Sequence, residues 1–268
     1  MQYRGVHSIV TGGSSGIGRA LVARLVDRGS QVSILALDDA DLERVAADYA
    51  DAAGTVTTYA VDVGDEEQVQ ASVADAATLH GPCDLLITSA GIVRPGHFLE
   101  LPDGEFEREM RVNFFGTLYA IRAVAPSMME RRSGRIVAIS SAAGLLGVFG
   151  YSAYGSTKYA VRGLCDVLRT ELKPHDVYVG CVFPTDVDTP QFAGERPYLP
   201  DEAKAISGTV TPISPEKAAA AILRGVDRRT ANIFTDPTTT VLDRLVRVAP
   251  GMTQRWLDRK VAGVADDR

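Results

Sequence analysis

The strand-like run Val6-His7-Ser8-Ile9-Val10 leads straight into Thr11-Gly12-Gly13-Ser14-Ser15-Gly16-Ile17-Gly18, and residues 19–28 then follow an amphipathic helical pattern. Strand, glycine turn and helix in that order leave few folds open. Gly12, Gly16 and Gly18 permit a tight turn and a close approach of backbone, so a pyrophosphate can rest on exposed amides at the positive end of the helix. The residues that would meet it are Gly12, Ser14, Ser15, Gly16, Ile17 and Gly18. An ordinary glycine-rich turn can carry the same letters, but the strand before and the helix after supply the context that a dinucleotide site needs.

The alternation continues along the chain. Residues 31–37, 57–61, 84–88, 134–140, 177–183 and 231–235 read as further strands, and 39–53, 65–79, 106–132, 154–173 and 215–227 as helices between them. Such regular turn-taking predicts an α/β fold, a doubly wound parallel sheet with helices on both faces. At 268 residues, with no internal repeat or low-complexity linker, a single domain over 1–268 is expected. Ligands of such sheets bind beyond the carboxyl ends of the strands. Asp62 and Val63 follow the third strand and Ser89-Ala90-Gly91 the fourth, so Asp62 is placed to meet an adenine edge while Val63, Ala90 and Gly91 let the cofactor pass. Asp62 is equally suited to cap the helix over 65–79, and the two roles are compatible.

A second motif carries the chemistry. Tyr154 and Lys158 stand four residues apart, on one face of a helix, and Ser141 ends the apolar run Ile136-Val137-Ala138-Ile139-Ser140. A phenol with an unperturbed pKa of about 10 is a poor acid near neutrality, but a fixed ammonium beside it favours the phenolate and lowers that value. Such a tyrosine can give a proton to a nascent alkoxide while Ser141 holds the carbonyl. Ser141 also suits a helix cap. Residues 136–157 carry no charge, yet Gly144, Gly147 and Gly150 would interrupt a membrane span, so the stretch reads as strand, loop and helix start.

Composition narrows the class of partner. A net charge of −6 with no basic stripe argues against nucleic acid. Cys83, Cys165 and Cys181 stand apart in apolar segments, as buried thiols do, and His7, His80, His97 and His175 show no metal spacing. The first strand begins almost at Met1, so no signal peptide is expected and the protein reads as cytoplasmic.

Taken in order, Thr11 to Gly18, Ser89-Ala90-Gly91, Asn113, Ser141, Tyr154 and Lys158 resemble the short-chain dehydrogenase/reductase family over nearly the whole chain. The resemblance implies Tyr154 as general acid/base, Lys158 on the nicotinamide ribose and on the tyrosine's pKa, Ser141 on the carbonyl, and Asn113 holding a water that links Lys158 to solvent. Hydride from NAD or NADP would complete the reaction. Asn113 can also be a satisfied buried amide. Homodimers or homotetramers through the helices at 106–132 and 154–173 are implied in the same way.

Within the family, two stretches are similar to a branch that reduces long-chain amino ketones. One includes Gly144-Leu145-Leu146-Gly147-Val148-Phe149-Gly150 and Leu172-Lys173-Pro174-His175-Asp176-Val177; the other is Phe183-Pro184-Thr185-Asp186-Val187-Asp188-Thr189-Pro190. In the second, Pro184 would border the cofactor and Thr189 would meet its carboxamide. The branch prefers NADPH and places an arginine just past the second strand, where this chain has Leu37, then Asp38 and Asp39. An acidic corner repels a 2′-phosphate unless Arg19 compensates, which favours NAD(H), although Ala36 stands where NAD-specific members carry an aspartate.

Substrate walls are expected from 93–99, 145–151 and the substrate loop 191–213. Leu145, Leu146, Val148, Phe149, Phe192, Tyr198, Leu199 and Ile206 suit either a hydrophobic ketone or alcohol or plain loop packing. For an amino ketone, Asp186 or Asp188 offers a counter-charge. A steroid, a β-ketoacyl thioester or another secondary alcohol would use the same chemistry; a non-catalytic dinucleotide sensor would need no proton donor. The tail over 236–268 is too charged to span a bilayer, unlike the anchored eukaryotic members of the branch. It is expected to pack on protein, covering the pocket or joining a subunit, with a peripheral membrane contact as the alternative.

Overall fold

The computed structural model describes residues 2–50, 52, 54–207 and 211–266. Its centre is a seven-stranded sheet in the order β3-β2-β1-β4-β5-β6-β7, every neighbouring pair parallel. The strands are β1 (His7–Thr11), β2 (Gln31–Ala36), β3 (Thr55–Ala60), β4 (Leu85–Thr88), β5 (Gly134–Ile139), β6 (Val177–Phe183) and β7 (Asn232–Phe234). Alternate residues along each strand enter opposite layers, as the pleat requires. Ile9, Leu86, Ile136 and Ala138 pack on one face with Val69, Ile121 and Val161; Val10, Ile87, Val137 and Ile139 pack on the other with Leu21, Leu42 and Ile222. The expected doubly wound sheet is therefore present.

Those partners lie on α1, α2, α3, α5, α6 and α9 of the series α1 (Gly16–Asp27), α2 (Asp39–Asp48), α3 (Glu66–His80), α4 (Glu105–Glu109), α5 (Gly116–Glu130), α6 (Ser152–Leu172), α7 (Pro190–Glu195), α8 (Asp201–Ser207) and α9 (Pro215–Asp227). Three boundaries differ from the sequence reading for physical reasons. The helix expected over 39–53 ends at Asp48, with Tyr49 closing onto Ala46 and Ala47; Asp51 and Ala53 lie outside the described residues. The single helix expected over 106–132 is α4 and α5 joined by a π turn, Met110–Phe115, which widens the helix and buries Asn113. The glycine turn opens α1 directly, so that helix starts earlier than expected.

Two further helices complete the chain, α10 (Pro237–Val248) and α11 (Pro250–Asp266). Asp236 caps α10 by accepting from the Thr239 amide at 2.9 Å and ties it to the end of β6 by accepting from Thr185 Oγ1 at 3.1 Å. Leu257 of α11 is buried in the first core layer. Residues 208–210 of the expected substrate loop and 267–268 of the tail, like Met1, lie outside the described residues. No described helix is long and apolar enough to cross a membrane.

The three cysteines are free and buried, as expected. Phe183 is fully buried and stacks on Phe234 with ring centroids 5.7 Å apart. Phe183→Ala removes a large side chain from close packing and is expected to lower the unfolding free energy by about 3–5 kcal/mol in urea titrations.

Candidate active site

The order of the sheet reverses between β1 and β4, and the chain leaves these neighbouring strands in opposite directions around the sheet. Beyond their carboxyl ends lies a cavity of about 1100 Å³. That exceeds the ~300–1,000 Å³ of a pocket for one small ligand. Gly12 donates its amide to Leu35 O and has φ +66°; a Cβ there would stand 2.7 Å from the Ala90 backbone. Thr11 Oγ1 accepts from the amides of Ser89 and Ala90, at 3.1 and 3.2 Å, and holds the two strand ends together.

Gly12, Ser14, Ser15, Gly16, Ile17, Leu37, Asp38, Asp62, Val63, Ala90, Gly91, Pro184 and Thr189 all line this cavity. Gly16, at φ +51°, lies against the Thr189 methyl. Gly18 does not line the cavity. A Cβ on it would fall 2.1 Å from Gly12 O, so its part is the close packing of helix on strand. Asp62 does not cap α3, because Asp65 does so by accepting from Gln68 N; Asp62 accepts instead from Gly64 N at 2.8 Å. Asp38 caps α2 through Asp41 N and borders the cavity beside the exposed Leu37. Arg19 is taken up in an ion pair with Asp48 at 2.5 Å and does not reach the wall. These residues fit a dinucleotide: glycines make room for backbone contact, and the turn opens a helix whose first amides face the cavity.

At the other end, Ser141, Tyr154 and Lys158 share the same wall. One turn of α6 separates Tyr154 from Lys158, whose Nζ donates to Ile139 O at 3.1 Å and lies 5.3 Å from the tyrosine ring centroid. Burial lowers the ammonium to about 8. Burial also drives the Tyr154 phenol well above its usual value, with the Ser141 hydroxyl opposing the shift as a hydrogen-bond partner. The sequence reading had the lysine lower the phenol. Desolvation is instead the largest influence on each group, and it disfavours the charged form of both. The phenol accordingly holds its proton at neutral pH, the state a proton donor needs. The cap weighed for Ser141 is present, since its Oγ accepts from Ala143 N at 3.1 Å and closes a short 3-10 turn at the cavity wall.

Asn113 does not reach the cavity surface. Its amide clamps Ile92, accepting from that residue's N at 2.8 Å and donating to its O at 2.9 Å, and it donates to Thr157 Oγ1 at 3.0 Å. It is thus the satisfied buried amide weighed earlier, joining the loop after β4 to α6 next to Lys158.

The substrate walls depart most from expectation. Leu146, Val148, Phe192 and Ile206 line the cavity, whereas Leu145 enters the core, Phe149 packs edge-on against His97, and Tyr198 lies under the Arg94 guanidinium. Leu199 also stands off the wall. In their place come residues of the tail, among them Val241, Leu242, Leu245, Met252 and Trp256. The tail covers the pocket, and its stripe of Val241, Leu242 and Leu245 was the signal. Asp186 lines the cavity, but Asp188 is exposed outside it. Unforeseen altogether was Glu195, buried on the wall and accepting from Tyr151 OH at 3.3 Å. Nothing in its local sequence sets it apart from any acidic helix end.

Comparison with known proteins agrees with this geometry. Residues 7–198 match the family model described as short chain dehydrogenase. Over 225 residues the chain is 40% identical to a protein of Bos taurus named 3-ketodihydrosphingosine reductase, covering 82% of this chain and 68% of that one. It is 35% identical over 268 residues to a protein of the same name from Dictyostelium discoideum, covering 93% and 79%. Among solved structures, levodione reductase is similar with a TM-score of 0.78 at 25% identity, over 86% of this chain and 95% of that one.

A buried acid beside the site gives a pH signature. Glu109, fully buried at the end of α4, accepts from Arg94 N at 2.6 Å, its Oε2 has no hydrogen-bond partner among the described residues, and the Glu105 carboxyl is near enough to act on it. Burial first, and then the Glu105 charge, raise it from 4.5 to about 8. The folded state therefore binds the extra proton between those values, and stability falls as pH rises through that window. Glu109→Gln keeps the acceptor for Arg94 and loses the penalty, so its melting temperature should overtake that of the parent at about pH 9 and lose this advantage near pH 4.

Proposed function

The chain belongs to the short-chain dehydrogenase family and is an oxidoreductase acting on a ketone or its alcohol, using NAD(H) or NADP(H); from that premise we propose that it reduces the ketone of a long-chain amino lipid. The observation that carries this reading is the meeting of Ser141, Tyr154 and Lys158 with the glycine turn in one cavity. The name shared by relatives at 40% and 35% identity supports the substrate class. So does the apolar character of Leu146, Val148, Phe192, Val241 and Trp256, which suit an alkyl chain.

In this reading Ser141 holds the carbonyl oxygen and Tyr154 donates its phenolic proton as that oxygen becomes an alkoxide. The nicotinamide supplies hydride when bound. Lys158 stabilises the phenolate left behind and holds the ribose, and its buried, easily lost proton suits it to refill the tyrosine. Asn113 is a positioning residue that fixes the loop after β4 against α6. Tyr154→Phe keeps the cavity shape and deletes the transferable proton. It should leave dinucleotide binding intact while kcat falls about 10²–10⁴-fold in single-turnover assays; near-parental turnover would sink the assignment.

We read the cofactor as NAD(H). Asp38 and Asp62 border the nucleotide end, Lys158 is the one Lys or Arg among the described lining residues, and Arg19 is occupied by Asp48. A 2′-phosphate carrying nearly two charges would meet acid and no base there. Leu37 is 75% exposed, so Leu37→Arg adds a cation without disturbing packing. Titrations should show NADH binding more tightly than NADPH in the parent and a shift towards NADPH in Leu37→Arg. A parental preference for NADPH overturns the reading.

A further inference from the structure

The substrate half of the cavity contains a charge pattern that the reduction step does not use. Glu195 is only 8% exposed, at the end of α7, yet among the described residues its carboxylate has a single long hydrogen bond, from Tyr151 OH at 3.3 Å. Asp186, on the segment after β6, lines the same cavity, and its carboxylate makes no hydrogen bond or ion pair among the described residues. Burying a carboxylate without a cation or a full set of donors costs several kcal/mol. Burial raises Asp186 to about 6; burial first, with the Asp186 charge adding, raises Glu195 to about 7. Among the described residues, the other neighbours on this part of the wall are apolar side chains, hydroxyls and the Gln191 amide, so they supply two acids and no cation.

Their position relative to the reacting groups gives the pattern meaning. Tyr151, which donates to Glu195, has its ring centroid 5.9 Å from that of Tyr154. Both Glu195 and Asp186 act through space on the Tyr154 phenol. A carboxylate one aromatic side chain from the proton donor is within reach of a substituent on the carbon next to the carbonyl.

We propose that Glu195, with Asp186 beside it, binds the ammonium group of the substrate and selects a 2-amino-3-ketone over a ketone of equal length without nitrogen. The inference rests on the reductase reading and extends it to a specificity determinant. The ammonium supplies the missing counter-charge, and the pair in turn fixes the carbonyl over Ser141 and Tyr154 while the alkyl chain runs along Leu146, Phe192 and Trp256. An ammonium is met by charge-assisted hydrogen bonds to carboxylate acceptors, stronger than those between neutral groups.

Glu195→Gln keeps the shape and the acceptor for Tyr151 while removing the charge, and Asp186→Asn does the same for its neighbour. The test compares kcat/KM for a long-chain 2-amino-3-ketone with that for the matched ketone lacking the amine. The ratio of the two should fall about 10–100-fold in Glu195→Gln, chiefly through KM, and by less in Asp186→Asn. Equal losses on both ketones overturn the proposal, as does a parental enzyme that prefers the ketone without nitrogen. Binding provides a readout independent of turnover, because the chain's one tryptophan, Trp256, lines the cavity. Titration followed by Trp256 fluorescence should show decylammonium binding more tightly than decanol to the parent, and Glu195→Gln should abolish the difference. If decylammonium has no advantage in the parent, the ammonium site is refuted even where reductase activity is present; if it has the advantage but neither ketone turns over, the site stands and the reductase reading falls.

Discussion

The structure depends on one close approach, the passage of the Gly12 backbone against the Ala90 backbone where β1 and β4 end side by side. A side chain at Gly12 would collide with Ala90, and Thr11 Oγ1 holds the two strand ends together through the amides of Ser89 and Ala90. Because the sheet changes direction at this pair, the loops that follow diverge and a crevice opens without any loss of packing below it. Gly18 against Gly12 O then seats α1 on the strand. The two core layers, the cofactor turn and the wall bearing Ser141 and Lys158 are all referred to that junction.

Desolvation is the second constraint, and it acts on acids and bases alike. Burial disfavours the charged form of each group, holding the Tyr154 proton in place and loosening that of Lys158, so the two move apart in proton affinity. The same dryness pushes Glu109, Asp186 and Glu195 towards neutrality. Three carboxyls that titrate far above the usual range are a standing cost to the fold. Such costs persist where a site uses the groups that incur them.

How much of this was legible in the sequence follows from the range of each interaction. Strand and helix periods, the glycine turn and the four-residue spacing of Tyr154 and Lys158 are local, and the structure contains all of them. The family resemblance is borne out by the match over residues 7–198. The π turn at Met110–Phe115 was not legible, because it arises from the need of Asn113 to clamp Ile92, 21 residues away in sequence. The sign of the Tyr154 shift was misread because the sequence shows the neighbouring charge and not the burial. Leu145, Phe149 and Tyr198 look no different from wall-forming residues until tertiary packing sends them to the core, to His97 and to Arg94.

The tail that walls the substrate pocket is attached in an unusual way. No strand of the sheet belongs to it. It is held by Asp236 to Thr185, by the buried Leu257 and by packing of α11 on α8. Contacts of this kind join α10 and α11 to the sheet by packing and capping and add no strand to its ladder. Because Leu257 belongs to a core layer while Val241 and Trp256 face the cavity, a change in the tail is felt both in the packing of the domain and in the shape of that wall.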